Sequence, residues 1–359
     1  MTARLEITTN RGLEDLVVEE LRRLAAAAGV PGVRGEHRPH GLAGWAAVEA
    51  DATPEVLAAL ALRLRSAHHV VRPVHAFTLA APDSRDALAQ IQAEVAALDV
   101  PELAPDHVSF RATSTRTGQH PFSSEDVARV AGAGVRDRAW RAVSLKAYDV
   151  ELRVDVRDDR CTVGVQLTRE ALSRRRTGPY LPHMTLQGNV AWALLHLARP
   201  EPAGPPRELL DPFCGGGTLL LEAKARWPGV RVAGGDTSEG SVSGALANLA
   251  AAGHTGDVRV GDAREADRVW AGRRFDTVVS NPPFGKRIGP NMSFTKLFGE
   301  LFAALPAITT PDARVSLLVY KRGAFNQALR EHPAFTVRHA RVVELGGLHP
   351  VIIVLDRVG

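Results

Sequence analysis

The residues Asn281-Pro282-Pro283-Phe284 place a polar amide, a rigid carbonyl and an aromatic face within four positions. Two consecutive prolines can neither continue a strand nor open helical geometry at Pro282, so they set a stiff extended turn. Together these groups suit a planar base that carries an amino group; read alone, the tetrapeptide is equally a Pro-rich loop ending a strand. Upstream, Asp211-Pro212-Phe213-Cys214-Gly215-Gly216-Gly217-Thr218 offers glycines that let a ligand approach the backbone, ahead of a helix start whose free amides suit a carboxylate. It is not a phosphate loop, because GxxxxGK[ST] is absent, and it fits a dinucleotide fingerprint poorly, because Leu220 stands where a third Gly or Ala belongs.

The elements that must carry these groups are strands. Arg207–Leu210, Val230–Gly235, Val258–Gly261 and Phe275–Ser280 read as short apolar strands interleaved with helices, the first of these at Leu219–Arg226. Their carboxyl ends carry Asp211, Asp236, Asp262-Ala263 and Asn281, and open α/β sheets bind ligands at that edge. Asp236 stands where an acid holds ribose hydroxyls, and Asp262-Ala263 is a polar pair suited to an adenine edge. Cys214 reads as a packing residue of the loop and not as a nucleophile.

The N-terminal half reads as α+β. A strand at Leu5–Asn10, a helix at Leu13–Leu24, a Gly/Pro-rich stretch from Gly29 to Gly44, a strand at Trp45–Glu49 and a helix opened by Thr53-Pro54 make a first piece over 1–65. The second piece, 66–172, reads as strands at 70–79 and 107–113, helices over 84–98 and 125–140, and a closing pair of strands at 148–156 and 161–167. Val150, Leu152, Val154 and Val156 alternate with polar residues, which predicts one buried and one wet face. Arg111, Arg116 and His120 line a polar strand-to-loop passage that suits phosphate contacts or an ordinary solvated loop. Arg174-Arg175-Arg176 begins a linker and pre-motif helix over 173–206, either a solvated hinge or a stretch crossed by a nucleic-acid backbone, and 207–359 is the catalytic half.

Composition bounds these readings. The 359 residues imply two or three domains, and 45% hydrophobic content is enough for real cores. No apolar run reaches membrane-span length and the N-terminus lacks a signal-peptide core, so a cytoplasmic protein with no membrane partner is expected. The cysteines, Cys161 and Cys214, stand far apart with no metal-ligand spacing, and the 13 histidines form no zinc motif, so no metal and no disulfide is expected. The net charge of +4 permits a polyanionic partner, and it is also what Arg-rich genome bias produces.

Two resemblances organise the whole chain. Phe110 to Phe122 with the following helix and the Asp149-to-Leu172 hairpin resemble a THUMP domain, an RNA-binding module, and the first 60 or so residues resemble the ferredoxin-like piece that precedes it in RNA-modifying enzymes. The ordered strand ends resemble class I S-adenosylmethionine-dependent methyltransferases that act on exocyclic amines, with a Rossmann-like doubly wound domain. The resemblance implies S-adenosylmethionine as cofactor, held by Asp211, Phe213, Cys214, Gly215, Gly217, Thr218, Asp236, Asp262, Ala263 and Asn281, with Asn281, Pro282 and Phe284 catalytic. Lys286-Arg287 is typical of RNA-acting members, and with Arg111, Arg116, His120 and Arg174 makes the expected RNA-binding set. Nearly the whole chain resembles the tRNA guanine-N2 methyltransferases, which implies tRNA as partner and a guanine in the acceptor stem as target; a monomer is expected. Guanine-N2 methylation of ribosomal RNA and N6-adenine methylation of nucleic acid remain open, because the tetrapeptide does not name its base. A nicotinamide dehydrogenase or an RNA-binding protein with a vestigial cofactor fold fits less well. Two stretches depart from the family pattern: Gly216 replaces a frequent Ser, and Pro182 to Asn189 matches only loosely the helix that precedes the first motif.

Overall fold

The computed structural model describes residues 2–104, 108–138, 142–175, 178–182, 185–200, 203–284 and 293–358. They divide into two units, Met1–Thr8 with Val17–Leu172, and Thr9–Leu16 with Ser173–Gly359.

In the first unit, strands β1 (Ala3–Thr8), β2 (Arg34–His37), β3 (Trp45–Ala50), β4 (His69–Thr78), β5 (Ser109–Thr113), β6 (Arg116–Thr117), β7 (Ala142–Val143), β8 (Val150–Arg157) and β9 (Arg160–Gln166) form one sheet. Among the described residues it has nine strands, ordered β2-β3-β1-β4-β9-β8-β5-β7 with β6 beside β8. The two pieces read from sequence share this sheet, because β4 pairs antiparallel with β1 on one side and β9 on the other. Helices α1 (Glu14–Ala27, from Val17 on in this unit), α2 (Pro54–Ala61), α3 (Asp86–Ala97) and α4 (Ser124–Arg138) bury their apolar residues against it in two clusters. Thr53 caps α2 by accepting the Val56 amide, with Pro54 in the first turn. The expected end of α4 near Trp140 lies outside the described residues.

Strand β2 falls inside the stretch read as Gly/Pro-rich loop. Its sequence, Arg-Gly-Glu-His, has no apolar alternation because it is an edge strand held by backbone pairing to β3. The face of β8 expected to be wet is a second departure. Glu151 and Asp155 are only 4% and 2% exposed, because neighbouring strands cover them with donors. Glu151 accepts from Arg111, Thr113, Tyr148 and Gln166, and Asp155 from Thr115 and Arg153.

The second unit runs through α5 (Gly188–Ala198), β10 (Glu208–Asp211), α6 (Thr218–Arg226), β11 (Arg231–Asp236), α7 (Glu239–Ala251), β12 (Asp257–Val260), α8 (Ala266–Val269) and β13 (Phe275–Ser280). It closes with α9 (Phe294–Ile308), β14 (Thr309–Val319), α10 (Arg322–Glu331), β15 (Phe335–Val342) and β16 (Val351–Arg357). The described strands stand in the order β12-β11-β10-β13-β14-β16-β15, parallel from β12 to β14, with β16 antiparallel to both neighbours. Adjacent strand residues point to opposite faces. Leu209, Val279 and Leu318 accordingly join a core with α5, α6 and α7, while Leu210, Val278 and Leu317 join another with α8, α9 and α10. Helices thus cover both faces, and the parallel strands read as continuous apolar runs for that reason. Among the described residues no helix is long and apolar enough to cross a membrane.

Candidate active site

The end of β10 is a strut before it is a binding group. Asp211 is 2% exposed, accepts the Ser280 hydroxyl at 2.5 Å and the Phe213 amide at 3.1 Å, and so ties the end of β10 to the end of β13. Burial pushes its carboxyl up to about 7, and the charge of Asp236 adds to that. The turn that follows is fixed from its neighbours: the Cys214 amide donates to the Gly235 carbonyl (2.9 Å) and the Gly215 amide to Asp236 Oδ2 (3.0 Å). Gly215 lies at φ +50°, where an L side chain is strained, and a Cβ there would find no atom within 4 Å, so the backbone is open to a ligand. Burial raises the Cys214 thiol, and the side chain packs in the core of α5 and α6.

Asp236 Oδ1 accepts the Ser238 amide at 2.9 Å, so each of its oxygens already holds one loop amide and keeps a lone pair free. Asp262 is more fully occupied. Arg264 donates its backbone amide and Nε to Oδ1, and Nε and Nη2 to Oδ2, at 2.5 to 3.0 Å, and this pairing holds the Asp262 carboxyl below the usual carboxylate range.

At the end of β13, Pro282 is buried and Asn281 half-buried. Asn281 Oδ1 is buried and has no hydrogen-bond partner among the described residues. A buried amide oxygen without a donor is costly, and this one keeps the capacity to accept a hydrogen bond. The Phe284 ring stacks on Tyr320, with centroids 4.3 Å apart and planes at 24°.

One cavity of about 850 Å³ joins these elements, a size at which cofactor pockets are common. It is lined by Asp211, Phe213, Cys214, Gly215, Thr218, Asp236, Asp262, Ala263, Asn281, Pro282 and Phe284, whereas Gly217, at φ +80°, sits behind it as the residue before α6.

Sequence reasoning missed the strap across the loop. Asn248 is wholly buried inside α7; its Oδ1 accepts the Tyr180 amide, and its Nδ2 donates to the Tyr180 and Gly216 carbonyls, all within 2.8 to 2.9 Å. Residues 180–182 are thereby held on the glycine turn, and Pro182 lines the cavity. A Cβ at Gly216 would come within 2.9 Å of Pro182, which gives the departure from Ser at this position a physical reason. No local pattern signals Asn248, because its partners lie 32 and 68 residues away. Arg264 and Tyr320 were also missed.

The expected RNA-binding residues are distributed differently. Arg111, Arg116 and His120 belong to the first unit. Arg111 pairs with Glu151 at 2.7 Å and lies over the Tyr148 ring at 4.1 Å. Arg116, on β6, donates to the Gly118 carbonyl and to His120 Nδ1, while His120 Nε2 donates to the Asp158 carbonyl at 2.6 Å. Arg174 is exposed, Arg175 is paired with the buried Glu222, and Arg176, Lys286 and Arg287 lie outside the described residues. Among the described residues no cluster of His, Cys, Asp or Glu could hold a metal ion.

The chain matches two family models, an RMKL-like methyltransferase domain over residues 175–351 and a THUMP domain over residues 85–166. It is 35% identical to the tRNA (guanine(6)-N2)-methyltransferase of Thermus thermophilus, over 99% of each chain. It is 29% identical to human tRNA (guanine(6)-N(2))-methyltransferase THUMP3, over 76% of this chain and 56% of that one. The crystal structure of TrmN from Thermus thermophilus superposes with a TM-score of 0.81 at 34% identity, covering all of both chains.

Proposed function

The chain belongs to the THUMP-containing RMKL-like methyltransferases, the family of the tRNA guanine-N2 methyltransferases, and from that premise we propose that it methylates the exocyclic N2 amine of a guanine in tRNA, with S-adenosylmethionine as donor. The proposed target is guanine 6, the position that the name of the Thermus relative gives for that enzyme, and we place it in the acceptor stem, with the protein acting as a cytoplasmic monomer. The observation that carries this reading is the unpartnered, buried oxygen of Asn281 in the cavity that the glycine turn also lines.

The cavity suits the donor. Gly215 leaves the backbone approachable, the first amides of α6 favour a carboxylate, and Asp236 keeps acceptor capacity for ribose hydroxyls. With both oxygens of Asp262 engaged by Arg264, the adenine edge is met at Ala263, which also lines the cavity. When bound, S-adenosylmethionine supplies a methyl group already activated by its sulfonium.

The task left to the protein is alignment. An amino group on guanine is a poor nucleophile because its lone pair is delocalised into the ring. Asn281 Oδ1 and the Pro282 carbonyl accept the two amine hydrogens, which draws the nitrogen toward tetrahedral geometry and aims its lone pair. Phe284 stacks on the base, which must first leave the duplex. An amide is not basic, so Asn281 orients the amine and does not abstract its proton; the proton that the methylated nitrogen must lose passes to bulk water after transfer. Closing this geometry and excluding water supply the rate.

The test is incubation of the protein with isotopically labelled S-adenosylmethionine and total tRNA, followed by mass spectrometry of the nucleosides. Label in N2-methylguanosine mapped to the acceptor stem is expected. Label in N6-methyladenosine, or no label in tRNA, would overturn the assignment.

A further inference from the structure

We propose that Tyr320 is a positioning residue for base stacking: it backs one face of Phe284 so that the flipped base takes the other, making a three-layer stack of tyrosine, phenylalanine and base. This rests on the methyl-transfer reading above. In the sheet Ser280 of β13 pairs with Leu317 of β14, so Phe284 and Tyr320, four and three residues further on, leave the same edge side by side. Their ring centroids lie 4.3 Å apart at 24°, a face-to-face contact that covers one side of Phe284.

The two rings have different supports. Tyr320 packs on the core of α5, α6 and β14, whereas Phe284 belongs to neither apolar cluster of the unit among the described residues. Phe284 lines the cavity and Tyr320 is not among its described lining residues, so the tyrosine stands behind the phenylalanine and away from the site. A ring carried on a loop and lacking core support would sample many orientations, and a base stacked on it would share that disorder. Packing against a core-anchored ring fixes its plane before the base arrives, which reduces the ordering left to the reactive complex.

The test is a kinetic cycle on the full chain with tRNA and S-adenosylmethionine. Tyr320→Ala should lower kcat by about two- to tenfold, the range expected for loss of one aromatic pair, with the donor Kd and the tRNA Kd each unchanged within about twofold. Tyr320→Phe, which keeps the ring, should return kcat to near the starting value. In a Phe284→Leu background, Tyr320→Ala should cost nothing more, since the face it supports is gone. Tyr320→Leu, which preserves apolar packing on the core, replaces the alanine variant if that one fails to fold. Unchanged kcat in Tyr320→Ala or Tyr320→Leu, an equal loss with and without Phe284, or a raised tRNA Kd at constant kcat would each overturn the proposal. The last outcome would show Tyr320 touching the base directly. Those results presuppose an active parent enzyme; a parent that transfers no methyl group to tRNA would instead refute the reading on which the proposal stands.

Discussion

In the catalytic cleft Asn281 keeps a buried oxygen without a partner, whereas on the sheet of the THUMP-bearing unit the buried Glu151 is enclosed by four donors. Both regions place polar side chains at low exposure; in the first the carboxamide oxygen of Asn281 has no donor, and in the second the Glu151 carboxylate is fully served, although Nε of the Arg111 paired with it is buried without an acceptor among the described residues. The contrast separates two uses of a buried polar group. Arg111 pairs with Glu151 on a sheet face, Arg116 bonds His120, and His120 bonds the Asp158 carbonyl of the turn between β8 and β9. Asn281 lies between a buried strand and a proline, and among the described residues its Oδ1 has no donor, so that oxygen can receive a ligand. Substitutions in the cleft should therefore lower turnover at constant stability, and substitutions on the sheet should do the reverse.

The sharpest way to break that contrast is Asn281→Ala. Removing one preorganised group from a reacting centre costs about 10²- to 10³-fold in kcat, and Asn281 Oδ1 holds no hydrogen bond among the described residues, so the melting temperature should stay constant and donor binding should stay largely intact. Single-turnover methylation with saturating tRNA measures it; a variant within about threefold of the parent would remove Asn281 from the mechanism.

Asp211 lies between the two behaviours, because it is satisfied and yet sits at the cavity. Its carboxyl is raised by burial from 3.8 to about 7, so the folded state holds a proton that the unfolded state releases. Its contribution to stability is fully present below about pH 4, declines through the interval, and is gone above about pH 7. Asp211→Asn keeps an acceptor for Ser280 and the Phe213 amide but cannot ionise. Unfolding of the two proteins compared from pH 5 to pH 8 should show the variant gaining on the parent by about 1.4 kcal/mol per pH unit up to pH 7 and no further. A gap that is constant across that range would show that Asp211 stays charged in the fold.

What could be read in the sequence follows the same division. The strand ends Asp211, Asp236, Asp262 and Asn281 are legible because a parallel sheet brings the carboxyl end of every strand to one edge, so strand order alone assembles them. The alternation in β8 correctly marks its apolar face, but the same pattern says nothing of what neighbouring strands lay over Glu151 and Asp155. Asn248 is invisible for that reason: an asparagine within a helix has no local signature, and its role exists only once residues 180 and 216 fold back on it. Strand β2 fails differently, since an edge strand of charged residues needs no apolar pattern at all. The elements from α9 to β16 follow the last motif and carry no motif of their own, so nothing in the local sequence singles out Tyr320 among them.

The two smallest effects test the sheet side of the comparison. Arg111→Gln leaves Glu151 with Thr113, Tyr148 and Gln166 as donors but without a countercharge, which should destabilise the first unit by about 1–3 kcal/mol. Because the Arg111 charge is already matched, the salt dependence of tRNA binding should not move. Arg174 is the opposite case: it is exposed and makes no ion pair among the described residues, so its charge is available to a phosphate. Arg174→Gln should leave the melting temperature unchanged and reduce the slope of log affinity against log salt by about one, as expected when one fewer phosphate is neutralised by the protein. Filter binding of tRNA over a salt series distinguishes the two variants. If Arg111→Gln flattens the slope and Arg174→Gln does not, then a buried partner does not prevent an arginine from reaching RNA, and pairing within the chain is no guide to which cations this protein offers its substrate.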